Sequence, residues 1–117
     1  MTENSTYREH PVSDYRSVLD ADTQLVDVRE PHEVMTGSLP GAINIPVGQF
    51  PARLAELDTG RRVVLLCRSG GRSGNAARFL VANGFTDVIN LAGGMLAYAD
   101  PSTIPPLQRS TKKVQTP

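Results

Sequence analysis

The run Arg62-Val63-Val64-Leu65-Leu66 leaves few folds open. Its apolar residues do not alternate with polar ones, so neither face of the strand is suited to water. Strands of that kind lie near the centre of parallel sheets that are covered on both sides. The rest of the chain agrees. Short β-branched runs at Gln24 to Val28, Ile43 to Ile45 and Asp87 to Leu91 alternate with helical patterns, the signature of an α/β domain built on a mostly parallel sheet. Ser13 is expected to cap a short helix from Asp14 to Asp20. Pro31 suits a first helical position, with Gly37 closing that helix. Phe50, Leu54 and Leu57 fall at helical spacing and predict a second helix. Another carries Ala76, Ala77, Leu80 and Val81 and stops at Asn83-Gly84. After Gly93-Gly94, Met95, Leu96 and Tyr98 make a short apolar turn.

At 117 residues the chain has the size of one domain, which composition places at residues 12–100. Residues 1–11 read as a polar N-terminal extension. From Pro101 onward Pro, Ser, Thr, Gln and Lys dominate, so residues 101–117 read as a flexible tail. Twelve basic residues balance twelve acidic ones, so neither nucleic acid nor a membrane surface is an expected partner. No apolar run approaches the ~20 residues of a membrane helix, and the polar N-terminus lacks the apolar core of a signal peptide. A single cysteine excludes an intramolecular disulfide and favours a reducing, cytoplasmic setting. His10 and His32 stand apart from each other and from Cys67, a poor pattern for structural zinc.

The central strand runs straight into Cys67-Arg68-Ser69-Gly70-Gly71-Arg72-Ser73-Gly74 and then into a helix. Ligands of open parallel sheets bind beyond the carboxyl ends of the strands, where Cys67 is expected to lie. The following helix aims its free amides and positive dipole end at the same point. Arg61, Arg62, Arg68, Arg72 and Arg78 surround this stretch, with no acid between Asp58 and Asp87. Arg68 and Arg72 in particular are expected to favour thiolate over thiol. Gly70 and Gly71 let the backbone amides curl round an anion. A lone cysteine ending an apolar strand is otherwise a small buried hydrophobe, but such a residue has no use for this loop, and Cys67 reads as a nucleophile. Its electrophile stays open among a sulfane sulfur, a phosphate ester and an oxidant. A P-loop is excluded, because no lysine precedes Lys112. Cysteine phosphatases place one more residue between cysteine and arginine than the four that separate Cys67 from Arg72.

Three segments together resemble a single-domain rhodanese, a thiosulfate-type sulfurtransferase. They are Leu25 to Pro31 with Gly37 to Pro46, the loop from Cys67 to Ser73, and Asn90 to Met95. The resemblance spans about residues 12–100, with two departures: Ser38 stands where many members have histidine, and Tyr98 where many have tryptophan. It implies a central parallel sheet with helices on both faces, and Cys67 carrying sulfur as a persulfide. Arg68 and Arg72, with Ser69, Gly70, Gly71 and Ser73, would hold an anionic donor such as thiosulfate. The acceptor would be cyanide, a thiol or a protein, and no metal or organic cofactor is required. Asp27 and Arg29 would support the loop, although Asp27 also suits a turn-capping carboxylate and Arg29 a solvated charge. A partner-dependent persulfide carrier or non-catalytic binding module of the same family is the alternative.

Overall fold

The computed structural model describes residues 6–99, together with 110–111 and 113–114. In chain order the strands are β1 (Arg8–Pro11), β2 (Gln24–Asp27), β3 (Ile43–Asn44), β4 (Val63–Leu66) and β5 (Val88–Ala92). The α-helices are α1 (Pro31–Val34), α2 (Phe50–Arg53), α3 (Gly71–Ala82) and α4 (Gly94–Ala99). The five strands form one sheet in the order β1-β5-β4-β2-β3, and every neighbouring pair is parallel. The α/β architecture expected from the sequence is therefore the one observed.

β4 occupies the middle of the sheet, and all four of its residues are buried. Alternate side chains leave a strand on opposite faces. Val63, Leu65 and Cys67 pack with Phe50, Ala76, Ala77, Leu80 and Phe85 on one side. Val64 and Leu66 pack with Val12, Tyr15, Leu39 and Leu91 on the other, where Met95, Ala97 and Tyr98 of α4 join them. Each Val, Leu or Phe among them that is fully removed from water contributes about 1.5–3 kcal/mol, so both layers hold the central strand in place. The register fixes what meets at the sheet's carboxyl edge. Asp27 lies beside Leu66, and Asn90 beside Leu65.

Three local expectations need correction. Residues Val12–Val18 form a 3-10 helix entered from Pro11, with no side-chain cap. Asp14 leaves helical geometry there (φ −119°, ψ 29°), and its carboxylate is occupied by Ser17 and His10. The helix expected across Phe50, Leu54 and Leu57 is broken into a 3-10 turn at Val47–Gln49, α2, and a 3-10 turn at Leu54–Glu56. The backbone turns aside at Arg53 (φ −114°, ψ 12°), yet Phe50 and Leu57 still reach the core. Finally, Arg8–Pro11, read as part of a polar extension, is the edge strand β1. It pairs with β5 from Arg8 against Ile89 to Pro11 against Ala92. A flexible tail at 101–117 falls largely outside the described residues. Within that stretch Ser110–Thr111 pairs antiparallel with Lys113–Val114.

Candidate functional site

Cys67 continues the inward row of β4 and is 1 % exposed. Three residues further on, Gly70 takes a left-handed conformation (φ 109°) as the residue before α3, a region open to glycine at little cost. That bend turns the loop back on the sulfur. The Gly70 amide donates to Cys67 Sγ at 3.0 Å, and the Ser73 hydroxyl, from the first turn of α3, lies 3.2 Å from it.

The amides can face inward because the carbonyls of the loop are held from behind. α4 begins at Gly94, and its Met95 and Leu96 amides donate to the carbonyls of Cys67 and Arg68, each at 2.9 Å. The Gly70 carbonyl accepts from Asn90 Nδ2 at 3.1 Å. Gly94 makes this approach possible: a Cβ there would lie 2.5 Å from the Cys67 and Arg68 carbonyl oxygens. Gly94 thus brings helix α4 against the loop that follows Cys67.

Burial pushes the Cys67 thiol up, but the Ser73 hydroxyl and the amides of Ser73, Gly70 and Ser69 outweigh it and hold the group below its ordinary value. Hydrogen bonds to a thiolate favour it directly. Here the sequence-based account is corrected in its cause. Arg68 and Arg72 were expected to dominate, whereas the Arg68 side chain is exposed, and Arg72 points its guanidinium at Glu33. The two Arg72 amino groups meet the two Glu33 oxygens at 2.7 and 2.8 Å. Arg72 does sense the Cys67 charge, after its bond to Glu33 and its own desolvation. The downward direction at Cys67 therefore comes mainly from short-range donors, while Arg72 is paired with Glu33.

Glu33 was not singled out from the sequence, although it is central to this arrangement. It stands on α1 behind Pro31, in a capping box with Glu30. Arg72, followed by the Glu30 amide, draws its carboxyl down to about 2. Asn90, which the sequence placed only inside a motif, is 2 % exposed and contacts Ser73, Gly70 and Glu9. Neither link leaves a local signal, because the pairs lie 39 and 17 positions apart along the chain.

Asp27 and Arg29 form a second centre. Both are buried, and Arg29 Nη2 lies 2.7 Å from Asp27 Oδ2. Asp27 also accepts from the Arg29 amide at 3.0 Å and the Ser38 hydroxyl at 2.7 Å. Turn capping by Asp27 is thus present, and Arg29 is no solvated charge. Its guanidinium also donates to the carbonyls of Gly37 at 2.7 Å and Glu33 at 3.4 Å. The pair anchors the turn around α1, and α1 in turn carries Glu33 to Arg72. Of the remaining loop residues, Ser69 and Gly71 are exposed. The structure thus gathers Cys67, Gly70 and Ser73 around one sulfur, and keeps Asp27 and Arg29 as a separate structural pair.

A family model described as the rhodanese-like domain matches residues 12–101. A sulfurtransferase of Allochromatium vinosum is 42 % identical over 78 residues, covering 67 % of this chain and 73 % of that protein. A Bacillus subtilis protein named as a sulfur carrier is 36 % identical over 93 residues, 78 % of this chain and 50 % of the relative. Among solved structures, a rhodanese-like domain protein of Staphylococcus aureus superposes with a TM-score of 0.72 at 29 % identity, over 80 % of this chain and 92 % of that one.

Proposed function

The chain belongs to the family of rhodanese-like domains, and from that premise we propose that it is a sulfurtransferase in which Cys67 carries the sulfur. The observation that carries this reading is the buried Cys67 Sγ in the grip of the Gly70 amide and the Ser73 hydroxyl at the start of α3. In the first step the thiolate attacks the outer sulfur of an anionic donor such as thiosulfate. A new S–S bond forms, the donor's own S–S bond breaks, and sulfite departs with its electron pair. The loop amides and the arginines Arg68 and Arg72 stabilise the anions on both sides of that step. In the second step cyanide or a thiol attacks the outer sulfur of the Cys67 persulfide and restores the thiolate. Neither step needs a metal or an organic cofactor.

The position of Arg72 gives this mechanism a particular feature. To contact a donor, its guanidinium exchanges at least part of its contact with Glu33 for the incoming anion. Ser69, Gly70, Gly71 and Ser73 supply the rest of the cradle, and Asp27 with Arg29 keeps α1 in place behind it.

Intact mass after incubation with thiosulfate, with and without cyanide, tests the proposal. Cys67 gains one sulfur atom from the donor and loses it to cyanide, whereas Cys67→Ser does neither while remaining folded. Full turnover in the serine variant would overturn the mechanism. The likeness to a protein named as a sulfur carrier favours a second reading, in which Cys67 delivers its sulfur to a docked protein. Stable mass gain with negligible cyanide turnover would select it. Faster turnover of an aryl phosphate, lost in Cys67→Ser, would replace both with a phosphatase.

A further inference from the structure

Behind the sulfur, one proton is shared among three acceptors. The Ser73 hydroxyl lies 3.2 Å from Cys67 Sγ, 3.3 Å from the Gly70 carbonyl, and within hydrogen-bond distance of Asn90 Oδ1. A hydroxyl donates only once. The orientation of Asn90 is dictated by its other neighbours. Its Nδ2 lies 3.1 Å from both carboxylate oxygens of Glu9 on β1, and 3.1 Å from the Gly70 carbonyl. Turned over, the amide would set its oxygen against three acceptors. Oδ1 must therefore face Ser73, and at 2 % exposure solvent has little access to replace that donor.

We propose that Asn90 is a positioning residue that competes with Cys67 for the single Ser73 proton, and so biases the site toward states in which Sγ bears no charge. In the thiol state Sγ–H donates to Ser73 Oγ, and the Ser73 proton rests on Asn90 Oδ1. On ionisation the thiol proton leaves to solvent, the hydroxyl turns to Sγ, and Oδ1 gives up its donor. A buried acceptor without a donor carries a penalty, so Asn90 opposes the thiolate while Ser73 and the loop amides favour it. When Sγ bonds a second sulfur it loses its charge, and the hydroxyl returns to Asn90.

Other charges face this centre from several elements. Arg68 belongs to the loop itself, and Arg72 on α3 is paired with Glu33 of α1 and also senses Glu30. Glu9 on β1 lies beyond Asn90, and the Asp27–Arg29 pair ends β2. The pairs at Arg72 and Arg29 are internally compensated. Glu9 is the one charge that a change at Asn90 would leave without its partner there, so the experiment must separate its field from the hydroxyl.

The proposal shares with the sulfur-transfer reading the premise that Cys67 is the reacting atom. Its test needs no sulfur donor, so either idea can fail without the other. The rate of iodoacetamide alkylation is followed against pH in the full chain. Asn90→Leu lowers the midpoint by about half a pH unit, the size expected when one hydrogen bond is no longer contested, and Ser73→Ala raises it. In the Ser73→Ala background, Asn90→Leu adds no further shift. A rise or no change in the first variant overturns the proposal. So does an equal fall in both backgrounds, which would assign the effect to the Glu9 field or to the Gly70 carbonyl. If Asn90→Leu fails to fold, the Asn90 side-chain carbonyl carbon is followed by NMR in the unaltered residue. Its resonance moves with the thiol titration in the native chain and stays flat in Ser73→Ala. An equal movement in Ser73→Ala rejects the mechanism.

Discussion

Glu33 shows how a single side chain can link the site's charge to the stability of the domain. Its carboxyl is drawn from the ordinary 4.5 to about 2, first by Arg72 and then by the Glu30 amide. A group whose folded-state value is depressed stabilises the fold above its unfolded value, and that contribution is lost as pH falls through the folded value. The Glu33–Arg72 link is therefore intact at neutral pH and weakens between about 4.5 and 2. Urea denaturation across that window should show a steeper acid loss for the native chain than for Glu33→Gln, and parallel curves would show that the pair does not report on folding. The buried Asp27–Arg29 pair is a harsher case. Removing one partner of such a pair strands a charge and costs about 3–5 kcal/mol. At this scale the sequence disclosed where the candidate nucleophile lies, since Cys67 ends an apolar strand just before a glycine-rich helix start. It gave Arg68 and Arg72 more weight than the loop amides and the Ser73 hydroxyl that hold the Cys67 value down. Formal charges are visible in a sequence, whereas the reach of an arginine toward a glutamate 39 positions away is decided only when α1 and α3 come together.

The elements meet at the loop through two glycines whose demands differ in kind. Gly70 needs its left-handed backbone, but a Cβ there would come no closer than 3.6 Å to the nearest atom, the Gly93 amide nitrogen. Gly94, at φ 57°, needs the space: a Cβ would lie 2.5 Å from backbone atoms of Cys67 and Arg68, which cannot rotate away as a side-chain end can. Gly70→Ala should accordingly cost about 1–2 kcal/mol, the penalty of a left-handed non-glycine residue. Gly94→Ala should cost more, and it should also slow Cys67 alkylation by displacing the carbonyls that α4 holds. Equal stability loss in both variants, with unchanged alkylation, would mean that α4 does not brace the loop. Periodicity made β2, β4, β5 and α3 readable, because each buries an apolar face of its own. It missed β1, whose Arg8, Glu9, His10 and Pro11 hold to the sheet by backbone pairing at an edge. It joined Phe50, Leu54 and Leu57 into one helix, because apolar spacing cannot see the break at Arg53.

For the molecule as a whole, β1 completes the sheet and brings Glu9 to Asn90. Deleting residues 1–11 should therefore lower stability by on the order of a few kcal/mol, from the lost backbone hydrogen bonds. The exposed Arg8–Asp87 ion pair adds little to that sum. Denaturant midpoints check it, and an unchanged midpoint would return these residues to the role of a polar extension. The same connectivity bears on how the chain is made. Synthesis delivers domains from the amino end at roughly 5–20 residues per second. Among the described residues, β1, the first strand of this sheet to leave the ribosome, pairs only with β5, whose residues Ile89 to Ala92 are among the last of the sheet to appear. Arg8 to Pro11 must wait as unpaired chain while β2, β3 and β4 emerge. The Glu9 carboxylate can reach Asn90 only after that wait, so a nascent chain halted before residue 88 holds a cysteine whose supporting network has not yet been assembled.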